Sequence, residues 1–421
     1  MRIARVFRGI VGVVLCLVIG SAAGAQYSGG SGTADDPYQI ATAADLIAVG
    51  ETPDDYDKHF ILTADIDLDP NLPGRKAFDR AVIAPGREAP FTGIFDGNGH
   101  VVLNLSIIGE DCIGLFGEFR GEVRSLGIVD ATITGSGWSV GGLVGCMGGG
   151  WVTRCYSTGM VAGESRVGGL IGRNGVSAGM MGEVNAGFID QCWSTASVKG
   201  SEEVGGLVGS SLGGEVRCSY ATGSVTAGGI GVGGLVGHNV GSITSSHSTG
   251  AVTGRQLVGG LVGMNYRGSI ALSYSTGGVS ADCYDVGGLV GVNDRGSIAL
   301  SYSTGTVNGD KWVGGLVGTN SSGALRESYS LGDVTGHRLV GGLIGMNLSS
   351  EEEEGGGTWT IINCYSASGV RGEEPVGGLV GGNDGETVVV ITASFWDTQT
   401  SGQMTSDGGT GLTTSAMQTA G

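Results

Sequence analysis

A hexapeptide, Val-Gly-Gly-Leu-(Val/Ile)-Gly, begins nine times in this chain, at Val140, Val167, Val204, Val232, Val258, Val286, Val313, Val340 and Val376. Successive starts lie 27, 37, 28, 26, 28, 27, 27 and 36 residues apart, and the two long intervals carry insertions at Gly175–Gly187 and Ser349–Thr358. A degenerate copy, Ile113 to Gly117, brings the array to about ten units. A fixed period in this range marks a solenoid, in which each unit stacks only on its neighbours.

Other positions keep step with the anchor Val. Asn follows seven residues later at Asn174, Asn239, Asn265, Asn293, Asn320, Asn347 and Asn383, with Met147 and Ser211 as exceptions. A ring recurs at Tyr156, Trp193, Tyr220, His247, Tyr274, Tyr302, Tyr329, Tyr365 and Phe395, each preceded by Cys or Ser. A Val rank runs from Val161 and Val198 to Val334 and Val370. Within one unit the apolar residues fall in three bursts, Val286–Val290, Ile298–Tyr302 and Val307. Each is short, β-branched and bounded by Gly, Asn or Ser, which suits a strand and not a helix.

Three strands and tight corners per ~27 residues describe an all-β parallel β-helix with identical residues stacked at the ~4.8 Å strand spacing. The 87 Gly among 421 residues fit such corners, through left-handed backbone and through close approach of successive coils. A helical bundle would not tolerate them, at about 1 kcal/mol per helical position. Stacked Asn can bond up and down a ladder. The ring row reads as a stacked core or half-buried ladder, with a sugar-stacking platform as the alternative.

Residues 1–25 read as a signal peptide: Arg2, Arg5 and Arg8, an apolar run from Gly9 to Gly20, then Ala23-Gly24-Ala25 before Gln26. Leu15 before Cys16 argues against a lipoprotein. No other segment reaches the ~20 apolar residues of a transmembrane helix. Removing three Arg and no acid from 22 basic and 40 acidic residues moves the formal charge from −18 to −21. Such a surface repels nucleic acid, so no nucleic-acid partner is expected. Seven Cys remain, without a CxxC pair, and are expected to be buried, small, apolar residues and not a disulfide framework or a zinc site.

Residues 26–111 are read as an N-terminal cap with the first strands, 112–393 as the solenoid, and 394–421 as a C-terminal tail. Thr42-Ala43-Ala44-Asp45 is a capping box for a helix that covers the first coil. Phe60–Leu68 reads as a strand, and Phe91–His100 as a strand entering an Asp-Gly-Asn-Gly turn.

The VGGLVG core with its trailing Asn and (Cys/Ser)-Tyr-Ser-Thr-Gly segment resembles the GLUG repeat of exported and surface-attached bacterial proteins. The leader from Gly32 to Leu46, the Phe95–His100 turn and the tail from Ser394 to Gly411 are similar to segments that flank such arrays. The resemblance implies a right-handed parallel β-helix in a surface or extracellular setting, and supplies no activity. Immunoglobulin A peptidases, zinc enzymes, carry similar repeats. Their HExxH signature is absent here, since none of His59, His100, His238, His247 and His337 is followed by Glu.

Polysaccharide lyases and hydrolases built on β-helices need acids clustered on one coil face. Asp65, Asp67 and Asp69 alternate on one side of a strand and could hold Ca²⁺, but Pro70 and Lys76 stand where an EF-hand loop needs Gly and Glu. A solvated strand face is the plainer reading. Asp96 and His100 flank a turn explained by backbone geometry, and Glu351–Glu354 read as a solvated loop with weak cation binding as the outside reading. The Thr rank at Thr158, Thr195, Thr222, Thr249, Thr276 and Thr304 stands alone, without the second rank that an ice-binding face requires.

The expectation is a secreted or cell-surface structural or adhesive β-solenoid, bacterial, without catalysis, cofactor or assigned catalytic or metal residues. Surface glycans or other envelope proteins are the expected partners. The alternative is a carbohydrate-active β-helix enzyme.

Overall fold

The structure, a computed structural model, describes residues 26–73, 75–175, 185–348, 359–384 and 389–419. The expected signal peptide and most of both insertions lie outside the described residues.

Short strands pair in parallel from one coil to the next, and about ten coils stack into a β-solenoid. One coil carries five strands: Tyr284–Gly287, Val290–Asp294, Ser297–Ala299, Tyr302–Ser303 and Val307–Asn308. The hexapeptide is therefore a corner between two strands. The expected burst Val286–Val290 divides at Gly288-Leu289, and Ile298–Tyr302 divides at Leu300, whose φ of 50° turns the chain.

The vertical register follows the sequence ranks. Val286 pairs with Val258 and Val313, and Asn293 with Asn265 and Asn320. Tyr302 pairs with Tyr274 and Tyr329, and Val307 with Val279 and Val334. Val286, Leu289, Val290, Ile298 and Val307 point inward and are at most 1% exposed. Each such side chain contributes roughly 1.5–3 kcal/mol through burial.

The 13-stranded sheet starts before the repeats, at Tyr38–Ile40, His59–Leu62 and Ile94–Asp96. Here Phe60, Phe91, Phe95, Phe116 and Phe119 fill the core in place of Val and Leu. Phe60–Leu68 is two strands, His59–Leu62 and Ile66–Asp67. In Phe91–His100 only Ile94–Asp96 is a strand, followed by Asn98 and Gly99 at φ 53° and 81°. Helix α1 (Ala43–Glu51) starts at the Thr42–Asp45 capping box and buries Leu46 and Val49. In the tail, Phe395–Asp397 pairs with Tyr365–Ser366 on one side and Thr410–Leu412 on the other.

Glycine has one of its two expected roles at the hexapeptide. Left-handed backbone just before the anchor is adopted mostly by other residues, among them Arg166, Glu203, Leu257, Asp285 and Trp312, and at the corner before each ring by residues such as Gln191, Leu272 and Glu327. Inter-coil pairing on both sides over-determines these conformations, which otherwise cost about 1–3 kcal/mol. Gly288 answers a different need, the absence of a Cβ. A Cβ there would stand 2.1 Å from the Gly315 carbonyl oxygen and 3.0 Å from Ser303 Cβ. The residue after the ring, Ser in most coils and Ala221 after Tyr220, points inward and faces this glycine, as when Ser330 Oγ donates to the Gly342 carbonyl at 2.5 Å. The Gly-Gly corner and the Tyr-Ser pair are thus two sides of one contact.

Two polar ladders run beside the core. From Asn239 through Asn265, Asn293, Asn320 and Asn347 to Asn383, each side-chain amide donates to the next Asn, at 2.8–3.3 Å. Backbone N–H groups of Ser219, Ser246, Ser273 and Ser301 each donate to the Ser hydroxyl one coil on, at 3.2 Å. Such buried amides and hydroxyls are tolerated because every rung satisfies its neighbour.

Gly288→Val is expected to lower the melting temperature steeply, by about 3 kcal/mol of stability or more. Gly278→Ala is the matched control, because a Cβ there meets nothing closer than 3.4 Å. Equal melting temperatures for the two variants in calorimetry would contradict this packing.

Candidate binding surface

The acids singled out in the N-terminal coils are engaged by the chain itself. Asp65 accepts from the Val101 backbone N–H at 3.1 Å and lies 3.0 Å from His100 Nδ1. Asp67 accepts from Asn104 Nδ2 at 3.0 Å and the Asp69 N–H at 2.9 Å, and Asp69 holds Asn71. These bonds hold the Asp65 and Asp67 carboxyls below the ordinary Asp value, led by His100 and by Asn104 respectively. Asp96 accepts from Asn98 N–H, as the turn reading requires, and also pairs with Arg124 at 2.9 Å. Sequence reasoning missed the Asp65–His100 contact, which joins residues one coil apart. Glu351–Glu354 lie outside the described residues.

The ring row is a half-buried stack. From Tyr156 to Tyr365 successive centroids lie 4.1–6.0 Å apart with interplanar angles of 3–8°. Each inner ring has both faces covered by its neighbours, so it presents only an edge to solvent. His247 is held below the usual imidazole value by burial, which keeps it a neutral rung. A face-on sugar platform is therefore not built here.

A diagonal contact recurs at one corner, between the residue before one anchor and the sixth residue after the next anchor. In this geometry Cys112 and Cys146 form a disulfide, which corrects the expectation of unpaired cysteines at these two positions. Glu203 and His238 occupy the same pair of positions, 3.6 Å apart, and Thr319 Oγ1 donates to Asp285. Cys155, Cys192 and Cys364 are buried as expected, and burial pushes the Cys155 thiol up to about 12 and that of Cys364 to about 11, whereas Cys218 is exposed and Cys283 half-buried, against expectation. Glu118 lies beside the disulfide, close enough for a three-ligand cluster with Cys112 and Cys146, but the bonded sulfurs have no thiolate to give a cation. Burial raises the Glu118 carboxyl above the ordinary Glu value, opposed by Arg173 and Arg87.

The exposed features differ sharply along one face of the 13-stranded sheet. One outward row reads Glu122, Trp151, Phe188, Glu215, Ser242, Ser269, Ser297. Its two aromatic side chains stack at 4.4 Å and 15°, yet remain 50% and 38% exposed. Beside them a cleft of about 210 Å³ is lined by Trp151, Phe188, Ile189, Asp190, Glu215 and Arg217. Arg217 Nε donates to Asp190 at 3.0 Å. Sequence reasoning passed over this pair. The available signal was two rings at positions that later coils fill with Ser.

The class defined by this geometry is a parallel β-solenoid whose interior is repeated coil after coil and whose exterior varies. Residues 282–308, one coil of the array, match the GLUG motif. The neighbouring coils are in register with it, so the matched GLUG motif is one coil of a repeating β-solenoid. A stretch of 161 residues, 36% of this chain, is 38% identical to halomucin of Haloquadratum walsbyi, of which it spans 2%. A solved structure from Bacteroides ovatus, named as a candidate immunoglobulin A1 protease, is similar with a TM-score of 0.48 and 24% identity, over 60% of this chain and 80% of that one. A likeness of that size carries no functional inference. Among the described residues no helix is long and apolar enough to cross a membrane.

Asp285 generates a pH-dependent expectation. Burial raises its carboxyl to about 6, against the hydrogen bond from Thr319, whereas an unfolded Asp titrates near ~3.9. The folded state binds this proton more tightly, so the stability contribution is complete below about pH 4 and lost as pH rises through 6, on the order of 3 kcal/mol. Asp285→Asn is expected to match the parent near pH 4 and to melt higher at pH 7.5. Thermal melts at both pH values check this, and a variant less stable at pH 7.5 would contradict it.

Proposed function

We propose that the chain is a surface or secreted, non-catalytic structural rod with an adhesive exterior. The observation that carries this reading is where its polar chemistry goes. The Asn ladder, the Ser ladder and the ring stack all bond coil to coil, and the N-terminal acids accept hydrogen bonds from their own chain. Such a body offers a long, stiff and regular surface. The similarity of one stretch to halomucin supports a surface or secreted setting, as do the expected signal peptide and the acidic composition.

A second reading, a polysaccharide lyase or hydrolase, draws on the Asp65–His100 and Asp96–Arg124 pairs, which place acids beside a base and a cation in adjoining coils.

The whole chain, incubated with a polysaccharide panel with and without Ca²⁺, separates the two. Retained protein without released reducing ends is the expected outcome. Product release that disappears in Asp65→Ala or His100→Ala would overturn the non-catalytic reading.

A further inference from the structure

We propose that the Trp151–Phe188 stack and the cleft beside it form a subsite for one pyranose ring of a neutral polysaccharide. The inference rests on the adhesive reading and gives it a location and a ligand class.

The fold leaves one set of positions unconstrained. Inward positions are fixed by the core, but the outward row of the 13-stranded sheet is free: the three coils after Glu215 fill it with Ser, and later ones with Ala324, Thr360 and Val390. Two large rings in adjacent coils of that row leave apolar surface in water with no core contact to offset it. Exposed, clustered apolar surface of this kind marks a recognition site more often than scattered single residues do. The rings also differ from the half-buried stack in having surface left over. Trp151 and Phe188 are 50% and 38% exposed, and both rings line the cleft.

The chemistry around the rings selects the ligand. Asp190, Glu215 and Arg217 share the cleft with them. Arg217 spends its Nε on Asp190; among the described residues its terminal nitrogens and the Glu215 carboxylate make no hydrogen bond. The site therefore offers an apolar ring, acceptors and donors within one small hollow. A pyranose presents the matching set, an apolar C–H face and a rim of hydroxyls that donate and accept. An apolar peptide side chain would desolvate the Glu215 carboxylate and the terminal nitrogens of Arg217 without bonding them, which is costly. The volume of about 210 Å³ corresponds to about seven waters at ~30 Å³ each, the scale of a single sugar ring. Two carboxylates in the cleft and a formal charge of −18 on the chain disfavour an acidic polysaccharide.

The test is affinity electrophoresis of the whole chain through native gels containing soluble β-glucan, xylan, mannan or galactan, with calorimetric melts to confirm folding. The parent is expected to be retarded by at least one of these. Trp151→Ala and Phe188→Ala should each weaken the retardation about tenfold or more, while Phe188→Trp, which keeps an aromatic face, retains it. Trp138→Ala is the control, since that tryptophan is also exposed but carries the Arg166 guanidinium 5.5 Å from its ring centroid. Retardation unchanged in Trp151→Ala and Phe188→Ala would overturn this site and leave the adhesive reading standing. A parent that no neutral polysaccharide retards would overturn the ligand class, while the absence of reducing-end release would still support a non-catalytic rod.

Discussion

The close approach of successive coils at the Gly-Gly corner is the constraint on which the rest depends. With no Cβ at Gly288, the next coil's carbonyl and the inward Ser303 pack against the backbone itself. Pairing can then continue through the corner, as Leu289 and Val290 both donate to the Leu316 carbonyl at 2.9 and 3.0 Å. Once the corner is fixed, every other residue falls above its counterpart. The Asn amides come within bonding distance, the rings stack, and the Val ranks close over the core. The last coil shows the same contact under different occupancy. Trp396 follows the ring there in place of Ser, and the indole packs against Gly378, where a Cβ would meet Trp396 at 2.0 Å.

Periodicity made the columns legible because stacking is vertical and the period is the coil. The Val, Asn and ring ranks aligned in the structure as they do in the sequence. What periodicity could not show is the diagonal. Cys112 and Cys146, Glu203 and His238, and Asp285 and Thr319 belong to different ranks, so no column places them together. Their pairing follows from the left-handed residue before the anchor, which aims its side chain across to the next coil. The three strands per coil expected from the bursts are five in the structure, since an apolar burst reads the same whether straight or folded about Gly288-Leu289. In the N-terminal coils the contact of Asp65 with His100 had no repeated signal to reveal it.

A solenoid of this kind separates structure from recognition. Inward and ladder positions are bound by their neighbours above and below, so departures there cost stability, as the buried Asp285 carboxyl illustrates. Outward positions on the flat sheets answer to solvent alone. Trp151 and Phe188 are departures of that second kind, on a row that Ser242, Ser269 and Ser297 continue. Fold identity in such a chain is carried by the repeat, and the proposed recognition by the exceptions to it.

The central claim is the register between coils, and engineered cross-linking along the diagonal tests it most directly. Asp285 and Thr319 stand in the same relation as Cys112 and Cys146. The double variant Asp285→Cys with Thr319→Cys should form a disulfide on mild oxidation, read by mass spectrometry of the joined peptides. Asp285→Cys with Met346→Cys, one coil further along the same column, should not. Cross-linking of the second pair in preference to the first would place the coils in a different register and contradict the account.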